Sequence, residues 1–294
     1  MSICKDRVVI ITGAGGGLGA AHAKMFAKAG ASVVVNDINE AAANRVVDEI
    51  LSAGGKAIAN QSDITNYEDS ANAVNQAIET FGDLHIVLNN AGINRDKMFA
   101  SMGESDWDAI MAVHLKGHFC ITSHAVKYWR NQSKAGKPVN ARIINTTSGA
   151  GLQGSIGQSN YAAAKAGIAV LTLNQAAELG RYGITANAIA PAARTGMTTA
   201  VESMATRMAK PEDDSFDYWA PENVSPLLIW LASESGQSVS GRIFEAEGGK
   251  ISIVDGFRST QGVDCGKQWL PEEIGEAMKN LLAQETPAQK VYGT

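Results

Sequence analysis

Three residues near the middle of the chain, Ser148, Tyr161 and Lys165, carry the groups needed to draw a proton from an alcohol at neutral pH. A tyrosine hydroxyl ionises near pH ~10 and is a poor base alone, but a nearby cation favours the phenolate. Tyr161 and Lys165 stand at i and i+4. On a helix they share a face, so the ammonium would act on the phenol and also reach a bound ribose. The stretch from Tyr161 to Arg181 has helical composition and apolar periodicity, which predicts that helix. Ser148 ends the run Ile143-Ile144-Asn145-Thr146-Thr147, and its hydroxyl would either hold a substrate oxygen beside Tyr161 or cap a loop rich in Ser, Thr and Gly.

Proton transfer of this kind needs a partner that takes hydride, and the first part of the chain suggests one. Thr12-Gly13-Ala14-Gly15-Gly16-Gly17-Leu18-Gly19 follows the apolar run Val8 to Ile11 and opens the alanine-rich stretch Ala20 to Ala29. Strand, glycine turn and helix in that order form a phosphate-binding unit, because glycines let the backbone approach a pyrophosphate that the helix N-terminus then holds. The next apolar run, Ser32 to Asn36, ends in Asp37, where such a unit sets an acid against the adenosine ribose. Asp37 would repel a 2′-phosphate, and no Arg or Lys lies between Gly13 and Gly19, so NAD is the expected cofactor. The other reading of Asp37 is a loop acid or a cap on the helix starting near Asn39.

These segments together resemble the short-chain dehydrogenase/reductase family over roughly residues 5 to 250: Thr12 to Gly19, Asn89-Asn90-Ala91-Gly92, Ser148, Tyr161-Ala-Ala-Ala-Lys165 and Asn187-Ala-Ile-Ala-Pro191. The resemblance implies an oxidoreductase in which Ser148, Tyr161 and Lys165 are catalytic. It also implies cofactor contacts at Gly13, Gly15, Gly16, Gly17, Leu18, Gly19, Asp37, Tyr161 and Lys165. Asp63, followed by Ile64, would contact the adenine, Asn90 with Ala91 and Gly92 would lie against the cofactor, and Thr195, just after Pro191, would meet the nicotinamide amide. Two positions depart from the pattern. His114 stands where an active-site asparagine is usual, and as a neutral ring it can still donate and accept in an outer proton relay, or simply pack. Ala192 replaces a glycine that often follows Pro191.

The strings Val113-His-Leu-Lys-Gly117, Tyr218-Trp-Ala-Pro-Glu222 and Gly241-Arg-Ile-Phe-Glu245 are similar to the dehydrogenase domain of peroxisomal multifunctional enzyme type 2 and to related bacterial single-domain enzymes. That likeness implies a 3-hydroxyacyl-CoA or a 17β-hydroxysteroid as substrate. A 3-oxoacyl-(acyl-carrier-protein) reductase is the alternative within enzymes, and a non-catalytic NAD-sensing or scaffolding protein is the alternative outside them.

Strand signals near 7–12, 32–37, 56–60, 84–89, 141–147, 183–189 and 241–246 alternate with helical segments. They predict an α/β, Rossmann-type, doubly wound seven-stranded parallel sheet with helices on both faces, in one domain over residues 1–250. Each motif follows a strand end, where the ligand crevice of such a sheet lies. Residues 192–220 form a long connection that reads as a lid over the substrate, with Met197, Met204 and Met208 facing an apolar pocket and Arg95, Lys97, Arg194, Arg207 and Lys210 as candidates for CoA phosphates. Residues 251–294 form an extension in which Pro271 to Leu282 reads as a helix, expected to pack at a subunit interface or edge a neighbour's pocket.

Composition fits this reading. With 294 residues, 45% hydrophobic, the chain can build one large core, and a net charge of −5 gives no footprint for nucleic acid or an anionic membrane. No leader and no spanning segment is expected, and the scattered Cys4, Cys120 and Cys265 suit a reducing, cytoplasmic setting. His114, His118 and His124 lack a completing acid or cysteine pattern, so no metal is expected. The expected partners are a small-molecule substrate and further copies of the chain, as a dimer or tetramer.

Overall fold

The computed structural model describes residues 2–200, 202–255, 262–266, 268–284 and 290–292. Its centre is an eight-stranded sheet: β1 Val8–Thr12, β2 Ser32–Asn36, β3 Lys56–Asn60, β4 Ile86–Asn89, β5 Ala141–Thr146, β6 Ile184–Ala192, β7 Ile243–Glu247 and β8 Lys250–Val254. The order is β3-β2-β1-β4-β5-β6-β7-β8. The first seven strands are parallel, as expected, but β8 adds an antiparallel edge to β7. This eighth strand corrects the expectation of seven. Its short apolar run alternates as Ile251-Ser-Ile253 behind Gly248-Gly249, and a two-residue turn with Gly248 at φ 50° folds it back as a hairpin.

Alternation along β1 and β2 builds both cores. Val9, Ile11, Val33 and Val35 face one side, with Phe26 of α1 (Gly17–Lys28), Val46 and Ile50 of α2 (Glu40–Ser52), and Leu228 and Leu231 of a later helix, Ser225–Ala232. Val8, Ile10 and Val34 face the other, with Val74 of α3 (Tyr67–Phe81). Strand residues buried on both faces require apolar runs, which is why these segments were legible. Between α4 (Glu104–Ile110) and α5 (Gly117–Lys134) the backbone widens into a π-helical turn over Met111–Lys116 that holds His114. Such turns collect at functional sites. α5 adds Ile121 and the buried Trp129, whose indole N–H donates to the Leu84 carbonyl at 2.6 Å.

Beyond β5 come α6 (Gly149–Gln153) and α7 (Ser159–Leu179); α8 (Gly196–Thr199) and α9 (Glu202–Arg207) occupy the 192–220 connection, followed by α10 (Ser225–Ala232) and α11 (Pro271–Gln284). A ladder of buried amides locks the middle strands together. Asn89 Nδ2 donates to Thr122 Oγ1 at 2.8 Å and Asn145 Oδ1 at 2.9 Å, and Asn145 Nδ2 donates to Thr172 Oγ1 at 2.9 Å. No described helix is long and apolar enough to cross a membrane.

Candidate active site

The glycine turn and the loop after β4 are packed on each other. Gly13 has φ 63°, and a Cβ there would lie 2.7 Å from Ala91 Cα. Thr12 Oγ1 accepts from the N–H groups of Asn90 at 2.9 Å and Ala91 at 3.0 Å, while Asn90 Nδ2 donates to the Thr12 carbonyl at 3.0 Å. These bonds close one side of a cradle whose floor is the N-terminus of α1. No described side chain caps that terminus, and a Cβ on Gly16 would meet open space. Uncapped N–H groups beside a glycine-lined opening suit a pyrophosphate, so the residues present fit a dinucleotide. Leu18 packs against the core beneath, and Gly19 sits so tightly that a Cβ would approach the Gly13 carbonyl oxygen to 2.2 Å.

Asp37 directly follows β2 and braces this turn. Its Oδ2 accepts from Gly15 N–H at 2.9 Å and its Oδ1 from Asn39 N–H at 2.9 Å, whereas the cap of α2 is Asn39 itself. Arg45, one turn along α2, donates to the Gly15 carbonyl at 2.9 Å. The turn carries no cation of its own; helix α2 brings one to it. Asp63 Oδ1 accepts from Thr65 N–H at 2.8 Å, and the buried Ile64 packs where a Cβ on Gly117 would stand. Thr195 caps α8, and its methyl lies 3.5 Å from the position a Cβ would take on Gly17, so the two ends of the cradle meet. Pro191, paired with Ala246 of β7, and Ala192, paired with Glu247, keep the backbone in β6 three residues past the expected end near 189.

Ser148, Tyr161 and Lys165 converge beside this cradle. The Ser148 hydroxyl accepts from Ala150 N–H at 3.2 Å as the cap of α6, and it stands near enough to the Tyr161 phenol to favour the phenolate. Asn160, which immediately precedes Tyr161, is fully buried, accepts from Tyr161 N–H at 2.8 Å and donates to the carbonyls of Arg95 and Asp106, both at 3.1 Å. It fixes the start of α7. Lys165 is buried, its Nζ donating to the Thr146 carbonyl at 2.6 Å and lying 5.5 Å from the Tyr161 ring centre. Burial pulls Lys165 down to about 7. Burial also raises the Tyr161 phenol above its ordinary value, and the group opposing that rise is Ser148. Its ammonium is turned to Thr146 on the face of α7 that Lys165 shares with Tyr161.

His114 is buried with its ring edge-on to Tyr161 at 5.1 Å. Its Nε2 sits 2.8 Å from the Ile93 carbonyl and 3.0 Å from Ile93 N–H, while Nδ1 has no partner among the described residues. Burial, then the Lys165 charge, push it down to about 3, so the ring is neutral. A Cβ on Gly92 would strike His114 Cε1 at 2.5 Å, so the loop after β4 is cut to fit this ring. His118 is buried nearby and His124 turns to the Tyr67 carbonyl at 2.7 Å. Among the described residues no three His, Cys, Asp or Glu side chains are grouped as metal ligands.

A cleft of about 910 Å³ opens in front of Ser148 and Tyr161. Met197, Met204, Met208 and Trp219 line it from the 192–220 connection. That connection is cinched at its base: Arg194 pairs with Asp217 and also donates to the Met208 carbonyl at 2.8 Å. Arg207 lies over the Trp219 ring at 5.6 Å, and Lys97 pairs with Asp106 at 2.8 Å. Arg95 donates to the Asn94 carbonyl at 3.1 Å, so four of the five cations considered for CoA phosphates have partners within the chain. Thr12 and Asn89 stood in the sequence motifs without a role of their own, and Arg45, Asn145 and Asn160 were given none. Thr12 and Asn160 adjoin motif residues, which is a usable signal; Arg45 and the amide ladder required the folded register.

The profile of the short chain dehydrogenase family matches residues 7–206. Hydroxyacyl-CoA dehydrogenase ChsB1 of Mycobacterium tuberculosis is 42% identical over 98% of this chain and 92% of its own. Peroxisomal multifunctional enzyme type 2 of Mus musculus is 41% identical over 83% of this chain, which spans 32% of that longer protein. A crystal structure of a short chain dehydrogenase from Mycobacterium avium superposes with TM-score 0.90 at 50% identity, covering 99% of this chain and 100% of that one. A cradle that fits a dinucleotide, a serine and a tyrosine facing one cleft beside it, and likeness along almost the whole chain have one common explanation: this oxidoreductase belongs to the short-chain dehydrogenase family.

Proposed function

We propose that the chain oxidises 3-hydroxyacyl-CoA thioesters with NAD. The observation that carries this reading is the Ser148–Tyr161 contact facing a cleft with a methionine and tryptophan wall, in a chain similar throughout its length to a hydroxyacyl-CoA dehydrogenase. When bound, the cofactor supplies the hydride acceptor, C4 of its nicotinamide. Gly13 to Gly19 and the α1 N-terminus hold its phosphates, Asp37 its adenosine ribose, Asp63 and Ile64 its adenine side, and Asn90 to Gly92, Pro191 and Thr195 its nicotinamide half.

Ser148 Oγ donates to the substrate oxygen and orients it toward Tyr161. Tyr161 Oη takes the hydroxyl proton as general base. When bound, the cofactor would supply a cationic ring that favours the phenolate, as the Lys165 ammonium also would, against the burial that raises the Tyr161 phenol. His114 is a positioning residue. Its Nε2 fixes the Ile93 backbone, and its free Nδ1 supports a place in the outer proton relay. Exposed Phe119 on α5 and Val170 and Leu173 on α7 support assembly into a dimer or tetramer.

The test is reduced-cofactor absorbance with purified protein, NAD or NADP, and separately a (3R)-hydroxyacyl-CoA series and a 17β-hydroxysteroid. Thioester turnover with NAD is expected. Turnover of the steroid alone would move the function to hydroxysteroid oxidation, and a strong preference for NADP(H) would favour a biosynthetic 3-oxoacyl reductase.

A further inference from the structure

The far end of the chain returns to the cleft. Tyr292 makes a parallel bridge to Ser155: Ile156 N–H donates to the Tyr292 carbonyl at 3.0 Å, and Tyr292 N–H to the Gly154 carbonyl at 3.3 Å. Two glycines leave room for it. A Cβ on Gly149 would lie 2.8 Å from Tyr292 Oη, and one on Gly154 would lie 3.3 Å from Val291 Cγ1. The phenol therefore crosses the residue that follows Ser148 and lines the same cleft as Ser148 and Tyr161. The Gln153 side chain hydrogen-bonds the phenol, while burial and the Glu245 and Glu247 carboxylates on β7 hold its pKa above the ordinary tyrosine value. At neutral pH it is an un-ionised hydroxyl, a donor rather than a base.

A second donor beside the first suits a substrate with two oxygens. In a 3-hydroxyacyl thioester the carbonyl carbon is two carbons from the reacting carbinol, so the oxygen held by Ser148 and Tyr161 is followed closely by an acceptor that needs its own donor. We infer that Tyr292 is a specificity-determining residue of that cleft, its hydroxyl donating to the thioester carbonyl. This assignment rests on the thioester reading above. Residues 291–292 lie on the chain's own 149–156 segment.

The experiment uses the full chain and the Tyr292→Phe variant, with NAD binding by fluorescence titration as the check on folding. The probes are 3-hydroxybutyryl-CoA as substrate and S-(3-hydroxybutyl)-CoA, the thioether without the carbonyl oxygen, as a competing ligand. Loss of one neutral hydrogen bond predicts a KM for the thioester raised roughly three- to tenfold, with kcat within about twofold. The Ki of the thioether and the KM for NAD should not move. An equal loss with both probes, or none with either, would overturn the Tyr292 assignment while leaving the thioester reading intact. A wild-type chain that ignores the thioester yet oxidises a 17β-hydroxysteroid would overturn the thioester reading itself, and the assignment with it.

Discussion

Exchange of Asp37 for Asn should relax the cofactor choice by a calculable amount. Each Asp37 oxygen accepts one backbone N–H at 2.9 Å, from Gly15 and Asn39, so the carboxylate is held in one orientation at the mouth of the cradle. A 2′-phosphate at hydrogen-bonding reach of it would put like charges about 4 Å apart, at a cost of about 1 kcal/mol per unit pair in water and about 4 kcal/mol at a surface-like dielectric. With roughly 1.5 to 2 charges on the phosphate and a partly exposed carboxylate, the penalty against NADP is about 2–4 kcal/mol, or roughly 30- to 1000-fold. Asp37→Asn removes that term but keeps one acceptor oxygen, so NAD loses only part of a charge-assisted bond, about 1 kcal/mol. Arg45, already 2.9 Å from the Gly15 carbonyl, can then meet the phosphate. The assay is the ratio of kcat/KM for NAD to kcat/KM for NADP with one alcohol substrate. It should fall by a factor of at least about 30. A change below about threefold would refute the placement of Asp37 against the ribose.

Three other perturbations test neighbouring parts of the site. Because His114 is neutral down to about pH 3, the kcat/KM profile should show no limb from it between pH ~5 and ~8; His114→Asn, able to serve the Ile93 backbone, should stay within about threefold of wild type, and His114→Leu should lose at least about tenfold. Burial depresses Lys165 from 10.5 to about 7, so between these values the unfolded chain binds a proton that the folded chain does not. Stability then rises with pH by up to ~1.4 kcal/mol per unit relative to Lys165→Met, and parallel urea curves for the two proteins from pH ~7 to ~10 would contradict this. Arg194→Met opens the base of the methionine-lined connection, and should raise the acyl substrate KM at least about tenfold with the NAD KM unchanged.

Residues with strong local signatures were legible before the fold was known. Val8 to Ile11 and Val33 to Val35 are buried on both faces and had to be apolar throughout, so strand positions and the crevice at their carboxyl ends followed directly. The Tyr161–Lys165 spacing gave the shared face of α7, but not the turn of Lys165 toward Thr146, which depends on where β5 ends. His114 was visible as a departure; that the backbone widens around it and Gly92 makes space for it was not. β8 was missed because five residues after two glycines read equally as a tail, and pairing with β7 decides the matter. Tyr292 left no signal at all, since its partners Ser155, Gly149 and Gly154 lie more than a hundred residues away in sequence.

The central claim is that Tyr161, poised by Ser148 and Lys165, takes the hydroxyl proton of a 3-hydroxyacyl thioester. The most direct measurement is NADH formation from a (3R)-hydroxyacyl-CoA by wild type and Tyr161→Phe, with NAD binding followed in both. Turnover by wild type, lowered about 10²- to 10⁴-fold in the variant at nearly unchanged NAD affinity, is the predicted result. Retained turnover in Tyr161→Phe would contradict the account.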